Sequence, residues 1–325
     1  MSILAQLEAV TNDYFMIEDG KAEDNYFETS FLLDYLIKQK KGVWKRPGGG
    51  QQITIPIRYD GNKSGFYTRG GTLDSTKQEA ITQVNFAWKH AYGNGTILRV
   101  DELKNSGPEA MINLLTEELE GAQESLRDVL ATSYYIGLEG DSENLTGLNS
   151  VCDTTSSTNY GGYASDDIVS ADGTKVWTGK GSSTSAVISL NLLRTIKTAS
   201  AYGKGKMSQP DLMSTTEAIY DKILDILQVQ QRFTEGTKTA KAGFTGLNFE
   251  GTEIFPDRYC PSGNLYALNT KHVGFAVHKK GLFQRTPWEF IAGSARDKTI
   301  KIFFDGNAVC NNRRANYRHS AVTTS

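Results

Sequence analysis

The chain has 325 residues, with 35 lysines and arginines against 37 aspartates and glutamates, for a formal net charge of −2. That is material for two domains or one elaborate one, and the charge balance excludes a protein whose main task is to coat nucleic acid, which carries a basic excess. No apolar run reaches the roughly 18 residues of a membrane span, and the opening MSILAQLEAV lacks the basic start and small-residue cleavage site of a secretion signal.

In chain order, Ser2 is placed to cap a short helix carrying Ile3, Leu4, Leu7, Val10 and Tyr14. An acidic link follows, with Glu18, Asp19, Glu23, Asp24 and Glu28. Ser30 then caps a second helix, FLLDYLIKQKK, which Gly42 closes with lysines in its last turn, where the helix dipole favours them. Lys45, Arg46, Pro47 and three glycines read as a hinge. Beyond it Ile53, Ile55, Ile57 and Tyr59 alternate as a half-buried strand, and Pro56 argues for an edge or a bulge. The turn DGNKSG at 60–65 is expected to return the chain into FYTRGG as a β-hairpin. A lone two-stranded hairpin is marginal in water, so its apolar face needs cover.

Val84, Phe86, Trp88 and Tyr92 alternate through a further strand, and TILRV at 96–100 leads into the most informative segment of the chain. Residues 107–137 carry Met111, Leu115, Leu119, Ala122, Leu126, Leu130 and Tyr134 at steps of three and four, one apolar stripe of a helix. Ser106 and Glu109 have capping-box spacing, Pro108 falls in the first turn, and Gly137 or Gly140 offers a stop. At 1.5 Å per residue this is a rod of about 46 Å, against a usual helix of about 11 or 12 residues.

Residues 141–186 read as loops with Trp177 as the one large anchor. A helix is expected over 188–202 ending at Gly203, a short buried strand in PDLMSTT, and a helix over 217–231. Strands are expected around 244–249, 265–268, 273–277, 283–290 and 299–304. That order gives an α+β or mixed fold.

Catalytic signals are thin. His90, His272, His278 and His319 form no HExxH pattern, and Cys152, Cys260 and Cys310 fit neither a disulfide framework nor a zinc site, so no cofactor or metal is expected. A cytoplasmic Cys–His hydrolase remains the alternative from a different class, since such partners meet only in space. TGKGSST at 178–184 fails the phosphate-loop spacing and reads as a flexible surface loop. Arg313, Arg314 and Arg318 form a basic cluster that, with the acidic segments, could pair between copies and set register.

Taken together, GGGQQITIPIRYDGNKSGFYTRGGTLD, VNFAWKHAYGNGTILRVDELKNSG running into the long helix, PDLMSTTEAIYDKILDILQVQQRF, GLNFEGTEIFPDRYCPSGNLYALNT and the close at NRRANYR make the chain resemble a family: the major capsid proteins of tailed bacteriophages, with the Hong Kong 97-type fold. The resemblance covers nearly the whole chain and rests on the series, not on one signature. It implies an N-terminal arm at 1–42, an extended β-hairpin loop at 43–83, a peripheral domain at 84–137 built on the long spine helix and completed by about 283–325, and a mixed α/β axial domain at 138–282. The residues it assigns to the intersubunit contact are Ile53, Ile55, Ile57, Tyr59, Phe66 and Tyr67, and those of the spine core face are Met111, Leu115, Leu119, Leu126 and Leu130. It implies a non-enzymatic subunit forming pentamers and hexamers of an icosahedral phage head, made in the host bacterial cytoplasm and touching packaged double-stranded DNA weakly and nonspecifically. A separate scaffolding protein is expected, because about 40 residues precede the loop, together with a portal protein and a decoration protein as further partners. An encapsulin-like compartment shell is the related alternative.

Overall fold

Small residues decide where the long helix sits. In the computed structural model, which describes residues 30–38, 47–104, 108–155, 159–202, 209–231, 247–294 and 296–324, this helix runs over Pro108–Ile136. It packs on the strand β3 (Lys89–Ile97). A Cβ on Gly93 would lie 2.3 Å from the Ala122 carbonyl oxygen, and one on Gly95 would lie 2.9 Å from that of Glu118. The two glycines let helix and strand backbones approach directly. Leu119, Ala122, Leu126, Leu130 and Tyr134 are buried, as the stripe demands. The side chains of Met111 and Leu115 lie outside the described residues, as do Ser106, the first helix, the acidic link, Lys40 to Arg46 and Gly203.

Among the described residues, two strands precede β3. β1 (Ile53–Arg58) pairs antiparallel with β2 (Ile81–Phe86), Ile55 opposite Val84 and Ile53 opposite Phe86. The expected hairpin return at FYTRGG does not form. That hexapeptide has two adjacent glycines and no apolar alternation, whereas ITQVNF supplies Val84 and Phe86 on one face, so the ladder closes there.

The longest strand, β15 (Lys298–Cys310), organises a five-stranded sheet. On one side it pairs with β3; on the other it pairs in turn with β14 (Glu289–Phe290), β13 (Gln284–Arg285) and β12 (Val273–Val277). Its first half alternates buried with less buried residues, while Gly306 to Cys310 are all buried. One face is covered at first, then both are. The strand runs six residues beyond the expected end at Phe304, because an unbroken buried run loses the period-two signal.

A second, six-stranded sheet has the order β6 (Gly181–Ser182), β16 (Tyr317–His319), β11 (Leu265–Leu268), β8 (Leu212–Thr215), β10 (Thr252–Pro256), β9 (Leu247–Phe249). Its faces belong to two cores. Met213, Ile254, Leu265 and Ala267 pack with Leu193, Ile196, Ile219 and Ile223 of the helices Leu190–Ser200 and Glu217–Gln231. Leu212, Phe255, Tyr266 and Leu268 face the main core instead, where the Tyr135 ring of the long helix lies 5.5 Å from that of Tyr266. A continuous apolar strand buried on both faces is the result. The glycine-rich 178–184 is an edge of this sheet and not a free loop: Gly181 and Ser182 pair with Arg318 and His319. Gly179 passes so close to Asp153 that a Cβ would sit 2.2 Å from its carbonyl oxygen.

Candidate assembly surfaces

The six residues assigned to an intersubunit contact divide into two groups. Ile53, Ile55 and Ile57 are buried in this chain's own main core, with Val84, Phe86 and Tyr160 among the residues that share it. Their partner is internal, which corrects the expectation that another copy covers them. A short antiparallel pair, Asn159–Tyr160 with Tyr163–Ala164, provides the cover: Phe86 meets the Tyr160 ring edge-on at 5.1 Å. The turn between these strands, Gly161 and Gly162, has both φ values positive (66° and 84°). It is held by Glu139, whose two oxygens accept from the Gly161 and Gly162 N–H groups at 2.6 and 3.0 Å. Burial raises the Glu139 carboxyl above its ordinary value, against the pull of those two N–H groups.

Tyr59 is half-buried against the core, and beyond it the chain makes a long excursion to Ala80 without a strand. Phe66, Tyr67 and Leu73 stand exposed on it. Leu73 carries no periodic signal that would mark it in the sequence. The excursion is tied across its base. Lys63 Nζ donates to Asp74 Oδ2 at 2.5 Å, and Asp74 Oδ1 accepts from the Thr76 N–H at 3.0 Å. The Lys63 ammonium, with Thr76, holds the Asp74 carboxyl well below the usual carboxylate range. At the root, Asp60 Oδ2 accepts from the Ala171 N–H at 3.2 Å. A cleft of about 1130 Å³ opens there, between 56–64 and a wall that includes Tyr202, His272, Asn311 and Arg314. Three large apolar side chains are thus left solvated on one excursion.

The basic cluster near the C-terminus is dispersed by the fold. Arg313 is fully buried. It donates to the carbonyl oxygens of Ser150, Val151, Asp153 and Trp177 at 2.7–3.1 Å, and to Ser165 Oγ at 3.3 Å. Arg314 lies over the Tyr202 ring at 3.8 Å. Arg313 is therefore not the surface charge expected from its place in the sequence, and Arg314 is a half-buried one stacked on an aromatic ring.

The three cysteines are buried and free. Burial pushes the Cys152 and Cys310 thiols up to about 12, and raises Cys260 further. A nucleophilic cysteine needs the opposite shift. Cys260 Sγ faces the carbonyl oxygens of Pro261 and Asn264, and Cys310 Sγ accepts from Asn316 Nδ2 at 3.5 Å. Among the described residues no group of three or more His, Cys, Asp or Glu side chains is arranged to hold a metal, and no helix is long and apolar enough to cross a membrane.

No protein-family model matches the sequence, and no curated protein does. Solved structures do. A chain of the cyanophage A-1(L) capsid asymmetric unit is similar over 93% of this chain and 95% of its own length, with a TM-score of 0.64 at 14% identity. A chain from the capsid of a native GTA particle is similar over 89% and 90%, with a TM-score of 0.57 at 9% identity. A chain of the holo-SrpI encapsulin complex from Synechococcus elongatus PCC 7942 is similar over 89% and 88%, with a TM-score of 0.50 at 8% identity. The chain therefore has the fold of shell-forming capsid subunits. Within that class the fold is the phage capsid fold of Hong Kong 97 type, as the sequence resemblance implies.

Proposed function

We propose that this chain is the major capsid protein of a tailed phage, a structural subunit without catalytic activity that assembles as pentamers and hexamers into an icosahedral head around double-stranded DNA. The observation that carries the reading is the excursion between β1 and β2: it displays Phe66, Tyr67 and Leu73 to solvent on a chain otherwise folded like capsid subunits over 93% of its length. Exposed aromatics on a stapled loop cost solubility in a monomer and gain a purpose in a shell. In this reading residues 1–42 are the arm and 43–83 the extended loop. Residues 84–137 with about 283–325 form the peripheral domain, and 138–282 the axial domain that closes the capsomer. Copies of itself are the first partners; scaffolding, portal and decoration proteins are the others, and DNA contact is weak and nonspecific, as a net charge of −2 favours. The location is the virion head.

The test is negative-stain electron microscopy of the purified chain, expressed alone and with its scaffolding partner. Shells, tubes or capsomer rings are the expected outcome; uniform small monomers or dimers in every condition would overturn the reading. The similarity to an encapsulin chain favours a second reading, a compartment shell. Particle contents separate the two: packaged DNA marks a head, a captured protein cargo marks a compartment.

A further inference from the structure

Where the N-terminal helix Phe31–Lys38 meets the six-stranded sheet, a carboxylate is sealed in. Asp257, in the turn after β10, is 3% exposed. Its Oδ2 accepts from Ser30 Oγ at 3.3 Å and from the Leu32 N–H at 3.1 Å, while Oδ1 accepts from the Tyr259 N–H at 3.0 Å. None of these donors is a cation, which is uncommon for a buried acid. Among the described residues, the titratable groups that face it are Tyr135 of the long helix, whose hydroxyl hydrogen-bonds to it, and Cys260 of its own turn. Burial holds both in their neutral forms, so neither supplies a compensating charge. The Tyr135 hydroxyl lies 2.6 Å from Ser214 Oγ of β8, and the Tyr259 hydroxyl bonds to Asp128 of the long helix.

The helix itself supplies the seal. Leu32, Leu33, Leu36 and Ile37 are buried, and the Phe31 ring stacks on Phe255 with centroids 3.7 Å apart. Asp257 thus does two opposing things. It satisfies N–H and hydroxyl groups at the helix start, where a negative charge is favoured, and it is stripped of water when the helix is in place.

We propose that the N-terminal helix is a detachable strap whose docking takes up a proton at Asp257. Undocking removes Ser30, Leu32 and the apolar cover, and returns the carboxyl to water, where its ordinary value is about 3.9. Docked, desolvation raises it, outweighing the N–H groups of Tyr259 and Leu32 and the hydroxyls of Tyr135 and Ser30 that pull the other way. The docked state therefore binds more protons between the two values. Docking is strongest at low pH, weakens as pH rises through the docked value, and levels off once both states are ionised. This is independent of the shell reading, because it concerns one chain closing on itself.

Hydrogen exchange on the full-length chain tests it. The amides of 31–38, corrected for intrinsic exchange rates, should show an opening constant that rises by up to about tenfold per pH unit above pH 4 and then plateaus. Asp257→Asn keeps the side-chain shape and an acceptor oxygen, and should flatten the profile. A flat profile in the native chain, or an unchanged slope in D257N, overturns the proposal. Should D257N not fold, the carboxyl carbon of Asp257 in the native chain is titrated by NMR. An apparent pKa at or below the ordinary carboxylate value would equally overturn it.

Discussion

Arg313 shows how far a residue's chemistry depends on where the fold carries it. In the sequence it sits beside Arg314 and three positions before Asn316, indistinguishable from a surface cluster. In the structure its guanidinium spends its donors on four carbonyls and a hydroxyl from segments 136 to 163 residues away, with the Tyr160 ring 5.0 Å from its Cζ. It gathers irregular backbone that has no ladder of its own, a task that suits the planar fork of arginine and not the single ammonium of lysine. Arg313→Met leaves those carbonyls buried and unanswered. At about 1 kcal/mol or more for each, the unassembled subunit should lose about 3 kcal/mol or more, read as a lower urea midpoint. Arg313→Lys, with three donors, should recover part of that loss. A cost under about 0.5 kcal/mol for the Met variant, the range of an ordinary surface change, would show that the carbonyls find water instead.

At the level of elements, the β1–β2 ribbon and its excursion separate folding from assembly. The ribbon is fixed by Ile53, Ile55 and Ile57 against Val84, Phe86 and the Tyr160 turn, so it does not need the residues beyond Tyr59. Replacing 60–79 by a short glycine–serine linker should leave thermal unfolding of the subunit within a few degrees, because loop-closure entropy changes slowly with length. The same variant should form no closed shells by electron microscopy. The milder pair Phe66→Ser with Tyr67→Ser should alter subunit stability by less than about 0.5 kcal/mol and still slow assembly; normal shells from either variant would free the loop from any clasp role. Much of this architecture was legible in the chain. The long helix, the helix over 217–231, and the strands at Leu265–Leu268 and Val273–Val277 all announced themselves through period or through apolar runs bounded by turns. The ribbon's register was not, because DGNKSG carries a strong turn signal while the true partner strand lies 23 residues on from Arg58. Local turn chemistry and a distant apolar alternation competed, and the packing against Tyr160, which no sequence window contains, decided it.

For the whole molecule the question is which force would hold copies together. Opposite charge patches were one candidate, yet Arg313 is buried and Arg314 is spent on Tyr202, and the exposed ion pairs that remain, such as Lys175 with Asp166 and Arg194 with Glu250, are satisfied within the chain. Surface pairs of this kind contribute at most about 1 kcal/mol and are screened within a Debye length of about 10 Å at 0.1 M salt. The exposed apolar set of Phe66, Tyr67 and Leu73 offers more: fully covering a large apolar side chain is favourable by about 1.5–3 kcal/mol. A shell repeats each contact many times, so a modest advantage per subunit closes it. The two forces respond to conditions in opposite senses. Apolar association survives high salt and weakens on cooling, since its driving force near room temperature is entropic. Charge pairing dissolves in salt and is little altered by cold. Assembled particles should therefore persist at about 1 M sodium chloride, where the Debye length is near 3 Å, and should release capsomers on prolonged storage in the cold, followed by light scattering. Dissolution in salt with stability in the cold would assign the contact to the acidic face of the long helix, where Glu120, Glu124 and Asp128 lie exposed, and would remove the loop aromatics from the centre of the interface.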